Sequence, residues 1–214
     1  YGAMYVGVSM PELATDQHVP ELARQGKAAQ KQFHAWGDKR PLMYRIFMPD
    51  ASPAAIAVGL KHGQNYCWDA GQCRLRYAWY GGFVDPSPVW RGNGNGLAGV
   101  LGTKYWETEM PGTIRVGGGD SEPEFLGYKK VDGQPEFHFR VNDTDVYELI
   151  TPLHSIIGIQ RSFRIPNNTQ PVSLPVGPTS RVAFEHSAGK LENGLLTLSA
   201  EEARAFTVFI GLIK

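Results

Sequence analysis

Residues 67–96 read CWDAGQCRLRYAWYGGFVDPSPVWRGNGNG and hold both cysteines, three of the five tryptophans and a dense set of glycines. Within them, CRLRYAWY at 73–80 sets Leu75, Tyr77 and Trp79 against Arg74, Arg76 and Ala78. A period of two places those sets on opposite faces of a strand, one toward a core and one basic. Residues 65–68 are also strand-like, and Asp69-Ala70-Gly71-Gln72 carries the Asp and Gly of a tight turn, so the pair reads as a β-hairpin. Its register can bring Cys67 and Cys73 opposite each other, within the Cα separation that a disulfide spans. A bridge is the expectation, with two free buried thiols as the alternative.

The composition then changes. Five glycines and two prolines in residues 81–96 predict a long shaped loop rather than a helix or a central strand. Phe83, Asp85, Trp90 and Arg91 argue against a plain linker, which has little use for tryptophan. The candidate ligand-binding set is Trp79, Tyr80, Asp85, Trp90 and Arg91: three flat apolar faces and two hydrogen-bonding side chains. In the competing reading Trp90 folds back as a plug of the core.

Working outward, strand-like segments recur at the spacing of an antiparallel sandwich or barrel. They fall near residues 43–48, 54–60, 65–68, 73–79, 103–107, 113–116, 124–130, 136–141, 145–151, 157–165, 180–186, 195–199 and 205–212. Asp132-Gly133 and Asn142-Asp143 mark hairpin turns. A parallel α/β fold needs helices between strands, and beyond residue 37 the sequence offers only a turn at 200–203. The fold class is therefore all-β, an antiparallel β-sandwich of about 12–13 strands with one N-terminal helix. Residues 1–40 form a strand-and-helix extension and 41–214 the sandwich domain.

In the extension, residues 1–10 are apolar and β-prone, and a helix is expected over 20–35, with Pro20 in its first turn and Leu22, Ala29 and Phe33 on one face. The first ten residues either pair with their own sheet or add to the sheet edge of a neighbouring molecule. Met10-Pro11 before a helix also suits a haem-ligating Met, but no Cys-x-x-Cys-His attachment sequence accompanies it.

The bounds agree with one domain. The 214 residues, 42% hydrophobic, suffice for one good core. With 21 basic and 21 acidic residues, nothing in the balance recruits nucleic acid or an anionic membrane. No apolar run approaches the roughly 18 residues of a membrane span. The chain opens on Tyr1, which suits removal of a signal peptide. Catalytic motifs are missing: the six histidines are scattered, no nucleophile elbow occurs, and Gly117-Gly118-Gly119-Asp120 lacks the Lys-Ser/Thr of a phosphate loop. Asp69, Asp85, Glu107, Glu109, Glu136 and Glu148 could supply a glycosidase pair, but spacing alone does not select one.

Four stretches carry a resemblance: RIFMPDASPAAIAVGL at 45–60, YCWDAGQCRLRYAWYGGFVD at 66–85, the Trp-x-Gly-x-Gly at 90–94 and PEFHFRV at 135–141. Over residues 40–212 the chain resembles a β-rich domain found in periplasmic multidomain proteins of environmental bacteria, beside c-type cytochrome modules and sugar-oxidising systems. The resemblance implies a periplasmic or extracellular location and a cytochrome or other periplasmic partner, and it supplies no catalytic residues or cofactor. The expected function is a noncatalytic binding or accessory domain, with carbohydrate as its ligand. The alternatives are a structural subunit that self-associates through residues 1–10 and a sugar-active enzyme using paired carboxylates.

Overall fold

The hairpins read from Asx-containing steps form where expected. Asp132 and Gly133 take φ of 49° and 82°, and Asn142 and Asp143 take 47° and 59°, so both two-residue turns have the left-handed backbone that matches strand twist. They join β8 (Glu124–Val131), β9 (Gln134–Val141) and β10 (Thr144–Pro152) into an antiparallel meander. The computed structural model describes residues 4–5, 39–92, 95–108, 112–119, 123–177 and 182–212. The helix expected over 20–35 lies outside them.

The architecture is all-β, with three antiparallel sheets. The first has the order β1 (Met4–Tyr5), β2 (Leu42–Arg45), β3 (Ala55–Gly59), β4 (Gln64–Asp69), β5 (Arg74–Asp85) and β6 (Gly99–Glu107). The second runs β13 (Val182–His186), β16 (Ala205–Leu212), β11 (Gly158–Arg164), β10, β9, β8. A smaller third sheet runs β14 (Lys190–Glu192), β15 (Leu195–Leu198), β12 (Val172–Pro175), β7 (Arg115–Val116). Strands β12 and β14, short and flanked by turns, are additions to the sequence reading. At the N-terminus, Met4 and Tyr5 pair with Arg45 and Tyr44 of β2 within the same chain.

The main core is shared by all three sheets. Met43, Val58, Tyr66 and Trp68 from the first meet Phe137, Phe139, Ile150 and Phe163 from the second and Leu174 and Leu196 from the third. Trp68 stacks flat on Phe137 at 4.1 Å, and Trp106 donates from Nε1 to the Val176 carbonyl at 3.2 Å. A second cluster lies on the opposite face of the first sheet: Leu42, Tyr44, Ala57, Cys67, Tyr77, Trp79 and Phe83. Arg76 Nε and Tyr77 Oη bond the carbonyls of Asp50 and Pro49 at 2.6 and 2.9 Å, drawing the segment of Ile46 and Met48 over this cluster. The centre of the first sheet is thus buried on both faces, every residue of β3 and β4 being buried.

Two expectations fail at this hairpin. Between Cys67 and Trp68 the β4–β5 register shifts: Cys67 pairs with Tyr77, Trp68 with Leu75, and Arg76 is the extra residue of a β-bulge. Leu75 consequently faces the main core while Tyr77 and Trp79 face the second cluster, so the simple two-face alternation does not hold. The bridge between Cys67 and Cys73 is likewise corrected. Both cysteines are free and buried, Cys67 in the second cluster and Cys73 in the main core on the other side of the sheet. Because Asp69 pairs with Arg74, Cys73 sits in the turn, with φ of 49°, rather than across from Cys67.

Candidate functional site

Of the segment 81–96, expected as one long loop, residues 81–85 continue a strand and residues 87–91 form a short helix. Strand β5 runs on through Gly81 and Gly82 to Asp85 as an interior strand between β4 and β6. A Cβ at Gly82 would lie 2.6 Å from the Leu101 carbonyl oxygen, so a side chain there would push the strands apart. Asp85 Oδ1 then accepts the Ser87 amide at 2.9 Å and its hydroxyl at 2.6 Å, and a short helix, α1 (Ser87–Arg91), follows with Pro88 in its first turn. Two prolines at a helix start need no amide partners, which is how the helix tolerates them.

The five candidate binding residues therefore separate. Trp79 is 0% exposed; its Nε1 donates to the carbonyls of Gly82 and Phe83 at 2.9 and 3.1 Å, and its ring stacks on Phe83. It is a core residue and offers no platform, which corrects its place in the set. Tyr80 is 44% exposed on the other side of the strand. Trp90 is half-buried and packs on the second cluster beside Val89 of α1, while Arg91 is exposed and Asp85 is half-buried and bonded to Ser87. None of the five lines either of the two cavities described next.

The first cavity sits in the main core beside a buried ion pair. Arg161 Nε donates to Glu148 Oε1 at 2.6 Å, Trp68 Nε1 donates to Glu148 Oε2 at 3.0 Å, and the two charged side chains are only 3% and 1% exposed. The adjoining space, about 10 Å³ between Cys73, Thr108, Thr113 and the pair, has room for about one water. Burial pushes the thiols of Cys67 and Cys73 up to about 12, which leaves both protonated and unreactive at neutral pH. This region holds the sheets together and has no space for a substrate.

The second sheet contrasts with the first in having one open face. Along β9 the burial alternates strictly, with Phe137, Phe139 and Val141 inward and Glu136, His138 and Arg140 outward. On the outer face the Tyr147 ring lies between cross-strand neighbours, with His138 stacked at 4.4 Å and the Arg164 guanidinium 3.9 Å from its centroid. Asp145 accepts from His138 at 3.0 Å and from Arg140 at 3.5 Å, and these contacts hold its carboxyl below the usual carboxylate range, His138 contributing most.

At one corner of this face lies the larger cavity, a cleft of about 280 Å³. Leu153, His154, Ser155 and Ile156 of the β10–β11 loop form one wall. Ala183 and Glu185 of β13 and Phe209 and Gly211 of β16 form the other. The loop is pinned by a side chain of the first sheet: buried Gln64 donates from Nε2 to the Leu153 carbonyl at 2.7 Å and accepts the Gly158 amide at 2.8 Å. Ile156, 50% exposed, lies across Gly211, where a Cβ would sit 2.6 Å from its Cδ1. The His62 ring meets His154 edge-on at 6.3 Å. Sequence reasoning noted His154 as one of six scattered histidines and gave no weight to Ile156, Glu185 or Phe209, which lie on three separate elements. The only local signal is the apolar pair Ile156-Ile157 directly after the polar His154-Ser155.

Among the described residues no group of three His, Cys, Asp or Glu is placed to hold a metal ion, and no helix is long and apolar enough to cross a membrane. Comparison with family models, with curated proteins and with solved structures returns no match.

Proposed function

We propose that the domain is a noncatalytic binding or accessory module that takes a carbohydrate in the cleft between the β10–β11 loop and strands β13 and β16. The observation that carries this reading is the cleft's make-up: an apolar floor of Phe209, Ile156 and Leu153 with a rim of His154, Ser155 and Glu185. Sugar rings present apolar C–H faces and a girdle of hydroxyls, so they are matched by an aromatic or aliphatic floor with a few hydrogen-bonding groups around it. A volume of about 280 Å³ lies at the bottom of the range of small-molecule sites and suits one sugar ring. The described lining has a single carboxylate, Glu185, whereas the usual hydrolytic mechanism uses two, which favours binding over hydrolysis.

The resemblance drawn from the sequence supports a periplasmic or extracellular setting beside a c-type cytochrome, where such a module would position sugar or a partner for an oxidising system. Calorimetric titration with soluble oligosaccharides tests the binding reading. Binding that disappears in Ala183→Trp, which fills the cleft from an exposed position, supports it; no binding to any sugar, or binding unaffected by the substitution, overturns it.

A further inference from the structure

Resting on that reading, we infer that the cleft discriminates by charge: it accepts neutral or amine-bearing sugar rings and rejects uronic acids. Charge is unevenly distributed around the cleft. Glu185 lines the mouth from β13 and is exposed, and among the described residues lining the cleft there is no lysine or arginine. The remaining polar groups there are the His154 imidazole and the Ser155 hydroxyl. Arg161, which shares the β11–β16 region, points to the opposite side of the sheet and is committed to Glu148 at 2.6 Å. Among the described residues of the outer face, Arg164 is engaged with Glu136 and Tyr147, Lys129 with Glu136 and Arg140 with Asp145.

A ring seated on Phe209 brings its exocyclic substituents to the rim, where a ring carboxylate meets Glu185 with no described cation to offset it. Like charges forced together in a partly desolvated cleft oppose binding, and this exclusion supplies specificity without any added attraction to the favoured ligand. An amino group at the same place gains a charge-assisted hydrogen bond to Glu185. The cleft is thus built against acidic polysaccharide fragments.

The test uses matched oligomers of glucose, glucosamine and glucuronic acid, and the mannose and galactose equivalents, titrated into the full chain at one fixed neutral pH. The expected result is that the neutral and amino members of at least one set bind and the uronate member binds at least about tenfold more weakly, a difference that Glu185→Gln reduces to about threefold. Uronates binding as tightly as their neutral counterparts, or discrimination unchanged in Glu185→Gln, overturns the charge selection while leaving the sugar-binding reading in place. Binding of no member of any set overturns both. Glu185 is exposed, so an unaltered melting temperature in Glu185→Gln separates lost selectivity from lost structure.

Discussion

The first and second sheets are each six-stranded, antiparallel and joined to the same core, yet they differ in what their outward positions do. In β3 and β4 both side-chain parities are buried; in β9 every second residue reaches solvent. A sheet packed on both faces can spend its side chains only on cohesion, which is why Trp79, in the stretch richest in aromatics, stacks on Phe83 instead of on a ligand. The open face of the second sheet is free to carry charge, stacked rings and a cleft, and it carries all three. The first sheet contributes to the cleft indirectly, through Gln64 gripping the β10–β11 loop.

Truncating one ring on each sheet should give the largest difference between them. Trp79→Ala should cost about 3–5 kcal/mol through lost burial and a cavity, while Tyr147→Ala on the open face should cost no more than about 1 kcal/mol, the scale of a cross-strand pair. Equal costs in urea unfolding would erase the distinction. Nearly as large, Arg161→Leu should cost about 3–5 kcal/mol because Glu148 is left buried and uncompensated, and adding Glu148→Leu should recover most of that loss.

A smaller effect of opposite sign is expected at Tyr66, whose buried hydroxyl has no hydrogen-bond partner among the described residues. Tyr66→Phe should stabilise the protein by roughly 1 kcal/mol, the desolvation penalty of an unmade bond; a loss of stability in the same assay would point to a partner. The cysteines test which faces of the first sheet are closed. With both thiols pushed up to about 12 and buried on opposite sides, the native protein should not react with a thiol reagent at pH 8, whereas the denatured, unreduced chain should titrate both cysteines. Finding none on denaturation would restore the bridge.

The smallest effect concerns the open face. The carboxyl of Asp145 is depressed by His138 and Arg140, so its contribution is present above the unfolded value of about 3.9 and is lost as the pH falls through the folded one. Asp145→Asn should lower the melting temperature slightly at pH 6 and leave it unchanged at pH 2. A change at pH 2 would mean that packing, not charge, holds the residue.

The fold class was legible because its signals are local: alternation along β9 and β10, and Asp-Gly and Asn-Asp steps that impose positive φ. The strands that escaped, β12 and β14, are short and gain their identity from their partner β15. Two features of residues 67–96 were illegible for a physical reason. A bulge leaves no mark on the alternation pattern, since Arg76 looks like any outward residue of CRLRYAWY. Glycines at 81 and 82 signal a loop by propensity, but here they let two strands approach closely, a tertiary requirement. The cleft was invisible because its walls lie on three elements, Ile156, Glu185 and Phe209 being brought together only by the β13–β16–β11 order.

The bulge at Arg76 acts as a phase shift in the wall between two interiors. Upstream of it Leu75 belongs to one interior, and downstream of it Tyr77 and Trp79 belong to the other, so the strand changes allegiance midway. Because the flanking pairs, Trp68 with Leu75 and Cys67 with Tyr77, are already consecutive on β4, losing that one residue would restore plain alternation and leave Tyr77 facing the second cluster and Ala78 the main core. Arg76 also ties the covering segment at Asp50 and receives the Thr108 amide at 3.1 Å, so the inserted residue anchors both flanks. The inserted residue thus leaves the pairing on both sides of it unchanged, and what it adds to β5 is the pair of ties to Asp50 and Thr108.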